Sequence, residues 1–207
     1  MGQRVGRLPD TWSELIEEKN RVLHWSSEIL ARVDDNIRTE DIFLMDYDNV
    51  KIDAKIDRWV ENHRHEWETA LSKFSQERTR NSLRTGVTEI ADDLRHKMRR
   101  DYQAAYAKMK KFTRRVDVMG IKERKIHTQV QDLEIVCAND LETFVAKLGP
   151  LRKKVFANLR QSEKMGFEEK RLRAAFTKKV YDIDRKYIEE CATRITKLVK
   201  DFEESST

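Results

Sequence analysis

Residues that interrupt helices are scarce in this 207-residue chain. It contains two prolines, Pro9 and Pro150, and six glycines. A compact α/β or all-β domain needs many more turn-forming residues between its short elements. No stretch approaches the roughly 20 consecutive apolar residues of a transmembrane helix. The scarcity of turn residues therefore predicts long helices and argues against a sheet-based domain.

Cysteine is equally rare, and its scarcity bears on the cellular compartment. Cys137 and Cys191 are the only two, too few for the disulfide framework of a small secreted domain. We therefore expect reduced thiols and an intracellular protein, cytoplasmic or cytoskeletal. Both cysteines fall on apolar stripes, which favours buried thiols over metal ligands or nucleophiles.

Charge is abundant and unevenly distributed. Charged residues make up 38% of the chain, against about 25% in an average domain. Residues 1–77 hold 11 basic and 17 acidic side chains, and residues 78–207 hold 31 and 20. Disorder is one interpretation of such a composition, but the regular apolar spacing described next favours helices. The asymmetry between −6 and +11 favours association between copies or with an acidic partner.

Apolar residues recur about once per helical turn through most of the chain. The most regular stripe lies between Val87 and Val116, with a mean spacing of about 3.6 residues rather than the 3.5 of a supercoiled pair. Its members are residues 87, 90, 94, 98, 102, 105, 109, 112 and 116. The pattern predicts an all-α fold, an elongated helical bundle of coiled-coil-like character with about four to five long helices.

The first helix boundaries are marked by capping residues. Thr11 and Glu14 have the spacing of a capping box, and the apolar pattern fades at 38–40. Residues 41–50, "DIFLMDYDNV", have no helical period, so we expect a connector whose apolar part contacts the bundle. Asp48 or Asn49 then provides a cap for the second helix.

Later boundaries depend on glycine and proline. The polar segment 75–86 permits a break at Thr85–Gly86, but a single glycine costs only about 1 kcal/mol in a helix. We therefore favour one continuous or bent helix over 50–118. Residues 118–120 predict a turn, and Gly149–Pro150 predicts a helix end.

The domain prediction follows from these boundaries. We expect a flexible N-terminus over residues 1–9 and a single elongated helical domain over 10–202. A sub-boundary is possible near 75–86. The final segment, 203–207, is polar and is expected to fray.

Motifs for catalysis or cofactor binding do not emerge from the sequence. It has no glycine-rich phosphate loop and no nucleophile elbow. The segment that begins at Asp46 starts like a calcium loop but lacks the required glycine and final glutamate. His63 and His65 are two apart, so a helix directs them to different faces. We predict a non-enzyme without a metal or cofactor.

Two basic segments are the candidate contacts for an acidic partner. Residues 94–115 carry nine Lys or Arg and one acid, and residues 151–180 carry ten Lys or Arg and three Glu. The first set surrounds the whole exposed arc of its helix, which is typical of a solvated face; contact with an anionic surface is the alternative. The candidate contacts are Arg95, Arg99, Arg100, Lys108, Lys110, Lys111, Arg114, Arg115, Arg152, Lys153, Lys154, Arg171 and Arg173.

Two functional hypotheses follow. The first is a non-catalytic helical scaffold that binds itself or other coiled-coil proteins through its apolar stripes. Its candidate interface anchors are Trp12, Trp25, Trp59 and Trp67. The second is a peripheral protein that docks on an anionic membrane, in the manner of a BAR-type module, or on an acidic filament such as a microtubule. Nucleic acid is disfavoured because the aromatic residues form no stacking platform.

Overall fold

The fold is that of a computed structural model, which describes residues 8, 10–45 and 48–205, without the side chains of 41–45. Helices account for 93% of the described residues, and no strand occurs among them. The all-α bundle prediction is thereby confirmed. The flexible segment predicted at 1–9 lies outside the described residues, apart from Leu8.

Six helices follow one another in the part of the chain that the structure describes. They are α1 (Trp12–Met45), α2 (Asn49–Asn62), α3 (Arg64–Lys73), α4 (Glu77–Gln131), α5 (Leu133–Val136) and α6 (Leu141–Ser205). The last helix thus includes the first three residues of the tail that was expected to fray. None of the described helices is both long and apolar enough to cross a membrane.

The chain divides into two compact units. Unit 1 comprises Met1–Asp41 and Met109–Arg173, and unit 2 comprises Ile42–Lys108 and Ala174–Thr207. Helices α4 and α6 therefore contribute one segment to each unit. The single domain and the elongated shape expected from the sequence stay predictions.

The start of α1 is capped as predicted. The Thr11 hydroxyl accepts the backbone N–H of Glu14 at 3.4 Å and donates to the Glu14 carboxylate at 2.9 Å. The predicted fading of this helix at 38–40 is wrong, because α1 continues to Met45. A weakening apolar pattern does not by itself end a helix, and no proline or glycine interrupts the backbone hydrogen bonds of α1 after residue 38.

The connector predicted at 41–50 is correspondingly shorter. Residues 41–45 are helical, and the contacts expected of their side chains lie outside the described residues. Asp48 accepts the backbone N–H of Lys51 at 2.8 Å and caps α2. The predicted start of the second helix is confirmed.

The continuous helix predicted over 50–118 is wrong. The helical run is interrupted at His63 and again at Phe74–Gln76, whereas Gly86 lies inside α4. Phe74 has an extended backbone and is buried, with its ring centroid 6.3 Å from that of Phe202. Burial of this aromatic ring accompanies the break, which no glycine or proline marks.

The turn predicted at 118–120 is also wrong. Gly120 lies within α4, and a Cβ atom there would come within 2.6 Å of Val33 Cγ1. The glycine therefore permits α1 and α4 to approach closely rather than ending a helix. The actual turn surrounds α5, after which Asp140 caps α6 by accepting the Thr143 backbone N–H at 3.0 Å.

The helix end predicted at Gly149–Pro150 is wrong as well, because α6 passes through Pro150. Phe144 and Leu148 are fully buried before the proline, and Val155 is fully buried after it. The apolar face thus continues in phase on both sides. Packing of that face holds the helix together where the proline removes one backbone hydrogen bond.

Each unit has its own buried apolar residues. In unit 1, α1, α4 and α6 surround a core that includes Leu15, Val22, Trp25, Ile29, Val33, Phe112, Val116, Val130, Cys137, Phe144, Leu148 and Val155. In unit 2 the buried residues include Ile52, Ile56, Leu71, Phe74, Val87, Leu94, Met98, Phe176, Ile183, Cys191 and Ile195. Of the stripe predicted between Val87 and Val116, every member except the half-buried Ala105 is buried.

Candidate functional site

Several of the basic residues predicted to contact an acidic partner form ion pairs within unit 2. Arg99 forms two hydrogen bonds with the carboxylate of Asp53, one of them at 3.0 Å. Arg95 pairs with Asp57, and also with Asp92 at 2.5 Å. These two guanidinium groups are largely neutralised within the chain, which reduces their attraction for an external anion.

Helices α4 and α6 are joined by polar contacts in unit 2. Arg194 of α6 pairs with Asp93 of α4, and its hydrogen bond, followed by that of Lys97, lowers the pKa of the Asp93 carboxyl. Tyr187 donates to Asp101 at 2.7 Å. Burial, followed by this hydrogen bond, raises the pKa of Tyr187 to about 12. The polar surface between these helix segments is therefore used for internal pairing.

Three predicted contacts in unit 1 are also paired. Arg152 is buried and lies 2.5 Å from the carboxylate of Glu18, which is itself buried. Arg173 pairs with Glu169 one turn earlier on α6, and Arg115 of α4 pairs with Glu168 of α6 at 2.7 Å. Their charges contribute to the packing of unit 1.

A buried polar cluster joins the three long helices of unit 1. Glu123 of α4 is fully buried and accepts hydrogen bonds from the Ser26 hydroxyl of α1 at 2.5 Å and the Asn158 amide of α6 at 2.6 Å. Buried polar groups without partners are costly, so this cluster favours one alignment of the three helices. It fixes the positions of the α4 and α6 surfaces described next.

The surface of unit 1 between α4 and α6 carries cations without internal partners. Lys111, Arg114 and Lys122 line a groove of about 520 Å³ together with Arg115, and its lining includes the buried Met119 and Met165. Among the described residues that line this groove, none is acidic. None of the first three cations forms an ion pair with a described residue. An anion approaching them meets no competing carboxylate in the groove wall.

The outward face of α6 carries a second set of cations, which we name the α6 ridge. Its members are Lys153, Ala157, Arg160, Lys164, Phe167 and Arg171, all exposed. Their spacing of three and four residues places them within about 80° of one another around the helix. The residues from Lys153 to Lys164 also line a shallow depression of about 810 Å³.

The α6 ridge contains no acid, and its cations form no ion pair with a described residue. The Arg160 guanidinium lies 4.6 Å from the centroid of the Phe156 ring, a contact that orients it without neutralising its charge. The neighbouring acid Glu163 lies 3.8 Å from Arg32, and Glu168 is paired with Arg115. Both carboxylates are thus directed to partners on other helices.

Arg160, Lys164 and Phe167 of this ridge lie within the predicted basic segment 151–180 but were not among the individual contacts predicted from the sequence. The sequence contained a signal for this face, because the members of the ridge alternate four and three residues apart between positions 153 and 171. This spacing places them on the side of α6 opposite the core. The signal was obscured because the buried face of α6 includes Ser162 in this stretch. A polar residue at a core position interrupts the apolar stripe from which the opposite face is normally located.

The other candidate contacts have varied environments. Arg100, Lys108, Lys110 and Lys154 are exposed. Among the tryptophans, Trp12 and Trp25 pack in unit 1, with ring centroids 5.5 Å from Phe144 and 5.6 Å from Phe156. Trp59 and Trp67 are half-buried in unit 2. The structure therefore uses the first pair of predicted interface anchors in its own packing.

The remaining sequence candidates concern metal and thiol chemistry. Cys137 and Cys191 are buried, as their stripe positions predicted, and burial raises the pKa of Cys191 to about 11. His63 lies 3.4 Å from Glu66 and borders a surface groove with His65 in unit 2. Among the described residues, no group of three or more His, Cys, Asp or Glu side chains is placed to hold a metal ion. Comparisons with protein-family models, curated proteins and solved structures find no match.

Proposed function

We propose that this protein is a non-catalytic helical protein that docks on an anionic surface through unit 1. The α6 ridge is the observation that supports this proposal: four exposed cations, Lys153, Arg160, Lys164 and Arg171, share one helix face without an acid. The cations that line the groove between α4 and α6 extend the positive potential of the unit. In residues 109–173 there are 16 basic and 9 acidic side chains.

The alternative scaffold hypothesis relied on apolar stripes that bind partner helices. Those stripes supply the cores of the two units, where Leu94, Met98 and Phe144 are almost completely buried. A partner helix would therefore need another surface. The cations of the α6 ridge are exposed and unpaired within the described chain, which is why we favour docking on an anionic surface.

The expected strength of docking follows from the number of cations. A Lys or Arg near an anionic membrane surface contributes about 1 kcal/mol at physiological ionic strength. Four such residues would enrich the protein at the surface by about 10³-fold, and salt would reduce this enrichment because the charges are exposed. The docking should therefore be reversible and strongly dependent on ionic strength.

A charge-neutralised ridge variant tests the proposal. The change Lys153→Gln, Arg160→Gln and Lys164→Gln removes three exposed cations while keeping good helix-forming residues. We expect its binding to immobilised polyphosphate and polyglutamate to fall by at least about tenfold at low salt. Biolayer interferometry over a sodium chloride series measures the effect.

A matched control uses the other segment of the same helix. The change Arg185→Gln, Lys197→Gln and Lys200→Gln also removes three exposed cations, but in unit 2. Two of them, Arg185 and Lys200, are paired with acids one turn away on the same helix. This variant should keep most of the binding. Equal losses in the two variants would reject docking through the α6 ridge, and so would failure of the wild-type protein to bind both polyanions and anionic vesicles.

A further inference from the structure

Phe167 stands out among the residues of the α6 ridge because it is a large apolar side chain with 76% of its surface exposed. It lies between Lys164 and Arg171, one turn away from each on the same face. A single exposed apolar residue is common on protein surfaces and needs no explanation by itself. Here its position within a row of unpaired cations gives the surface two properties, positive charge and a protruding apolar group.

We infer that the anionic surface is a phospholipid bilayer and that Phe167 inserts into its interface. This inference rests on the proposed function and specifies its partner. Lys and Arg have long, flexible apolar stems that allow their charged ends to remain at the level of the lipid phosphates. The Phe167 ring, which has no charge to hydrate, enters the boundary between headgroups and acyl chains.

The geometry of the α6 ridge suits a fluid surface of anions. From Lys153 to Arg171 the ridge extends about 27 Å along the helix axis, with cations one or two turns apart. Lipid headgroups diffuse laterally, so they can match this spacing without a fixed pattern of charges. An acidic protein surface would attract the cations in the same way. It would, however, place carboxylates and hydration water opposite Phe167, so the ring would bury little apolar area there.

Vesicle binding with single-residue variants tests the inference. The probe is a phosphatidylcholine vesicle with about 30 mol% phosphatidylserine, compared with a vesicle of phosphatidylcholine alone. Phe167→Ala should lower binding to the anionic vesicle by about tenfold, because partial burial of a phenyl ring is lost. Tyr181→Ala, which removes another exposed aromatic residue of α6, should change binding by less than about twofold.

A fluorescent probe reports insertion directly. Both native thiols are buried, so an environment-sensitive dye reacts selectively with the new thiol of Phe167→Cys in the folded protein. Its emission should shift to the blue when anionic vesicles are added, and the emission of dye at Tyr181→Cys should not. Circular dichroism of each variant confirms that helix content is unchanged.

The outcomes separate this inference from the proposed function. Binding to polyphosphate or polyglutamate but not to anionic vesicles would overturn the bilayer inference and leave docking on an anionic surface intact. The bilayer inference would also be overturned if Phe167→Ala left vesicle binding unchanged and the emission of the dye at Phe167→Cys did not shift. Failure to bind any of the three probes would reject both proposals.

Discussion

The basic segments of unit 1 and unit 2 are both rich in Lys and Arg but have different electrostatic roles. In unit 2, Arg95 and Arg99 are held by acids of α2, and Arg194 of α6 is held by Asp93 of α4. In unit 1, Lys111, Arg114 and Lys122 of the groove between α4 and α6 form no ion pair with a described residue, and neither do the cations of the α6 ridge. A cation's availability to a partner is thus decided by the acids packed beside it, more than by the local density of Lys and Arg.

The contrast explains why a basic sequence segment is a weak guide to a binding surface. The segment 94–115 holds nine Lys or Arg, but it crosses from unit 2 into unit 1 and changes environment on the way. Its unit 2 part runs beside α2, whose Asp53 and Asp57 accept from it. The ridge on α6 has a lower charge density, but its cations lie on one face.

The largest effect is expected from a pair of adjacent residues with opposite environments. Arg152→Ala removes the buried partner of Glu18 and should lower the free energy of unfolding by about 2–4 kcal/mol. Lys153→Ala removes an exposed cation and should change it by no more than about 0.5 kcal/mol. Urea unfolding followed by circular dichroism measures both. Equal destabilisation would contradict the assignment of Arg152 to packing and Lys153 to the surface.

A smaller effect is expected when paired cations are released in unit 2. The change Asp53→Asn and Asp57→Asn removes the α2 partners of Arg99 and Arg95 and should raise affinity for polyphosphate about threefold at low salt. The control Glu89→Gln and Asp182→Asn changes net charge equally, at exposed acids that hold no described cation. The comparison would fail if both variants gained affinity to the same extent.

The smallest effect concerns acid pH. The pKa of Asp93 is lowered by Arg194 and then Lys97 from its ordinary value of 3.8. Its stabilisation is therefore complete above pH 3.8 and is lost as pH falls through the folded-state pKa. Because solvent reaches both half-buried side chains of this pair and screens their charges, the contribution is at most about 1 kcal/mol.

Asp93→Asn tests this dependence in urea unfolding between pH 5 and pH 2. The variant should show a shallower loss of stability than the wild-type protein, because the replaced group cannot be protonated. The ridge variant with Gln at 153, 160 and 164 should follow the wild-type slope, since no carboxylate is paired there. A steeper slope in Asp93→Asn would contradict the sign of the pKa shift.

The sequence predicted the helices better than their ends. The capping residues at Thr11 and Asp48 were sufficient to locate two helix starts, because a side-chain oxygen near the first free backbone N–H groups is a local requirement. Gly120 and Pro150 were misleading, because each lies inside a long helix, whereas the helix favoured through Gly86 is present. The break at Phe74–Gln76 had no marker, because it accompanies the burial of an aromatic ring against another part of the chain.

The sequence predicted the candidate surface less completely. Lys111, Arg114, Lys153 and Arg171 were identified from local charge density, and the structure leaves them exposed. Arg152 was identified in the same way but is buried against Glu18. Neighbouring positions on a helix have almost the same sequence context. Their side chains nevertheless project about 100° apart around the helix axis, so one can be buried while the next is exposed.

What the sequence by itself determined is the all-α fold, since apolar side chains repeating once per turn need no distant information to form a helix with one apolar face. The tertiary structure alone decided which charges remain available. That decision depends on carboxylates more than 30 positions away in the chain, such as Asp57 beside Arg95 and Glu18 beside Arg152. Coulomb attraction acts through space, so the free and the neutralised cations are distinguished only after the helices have packed.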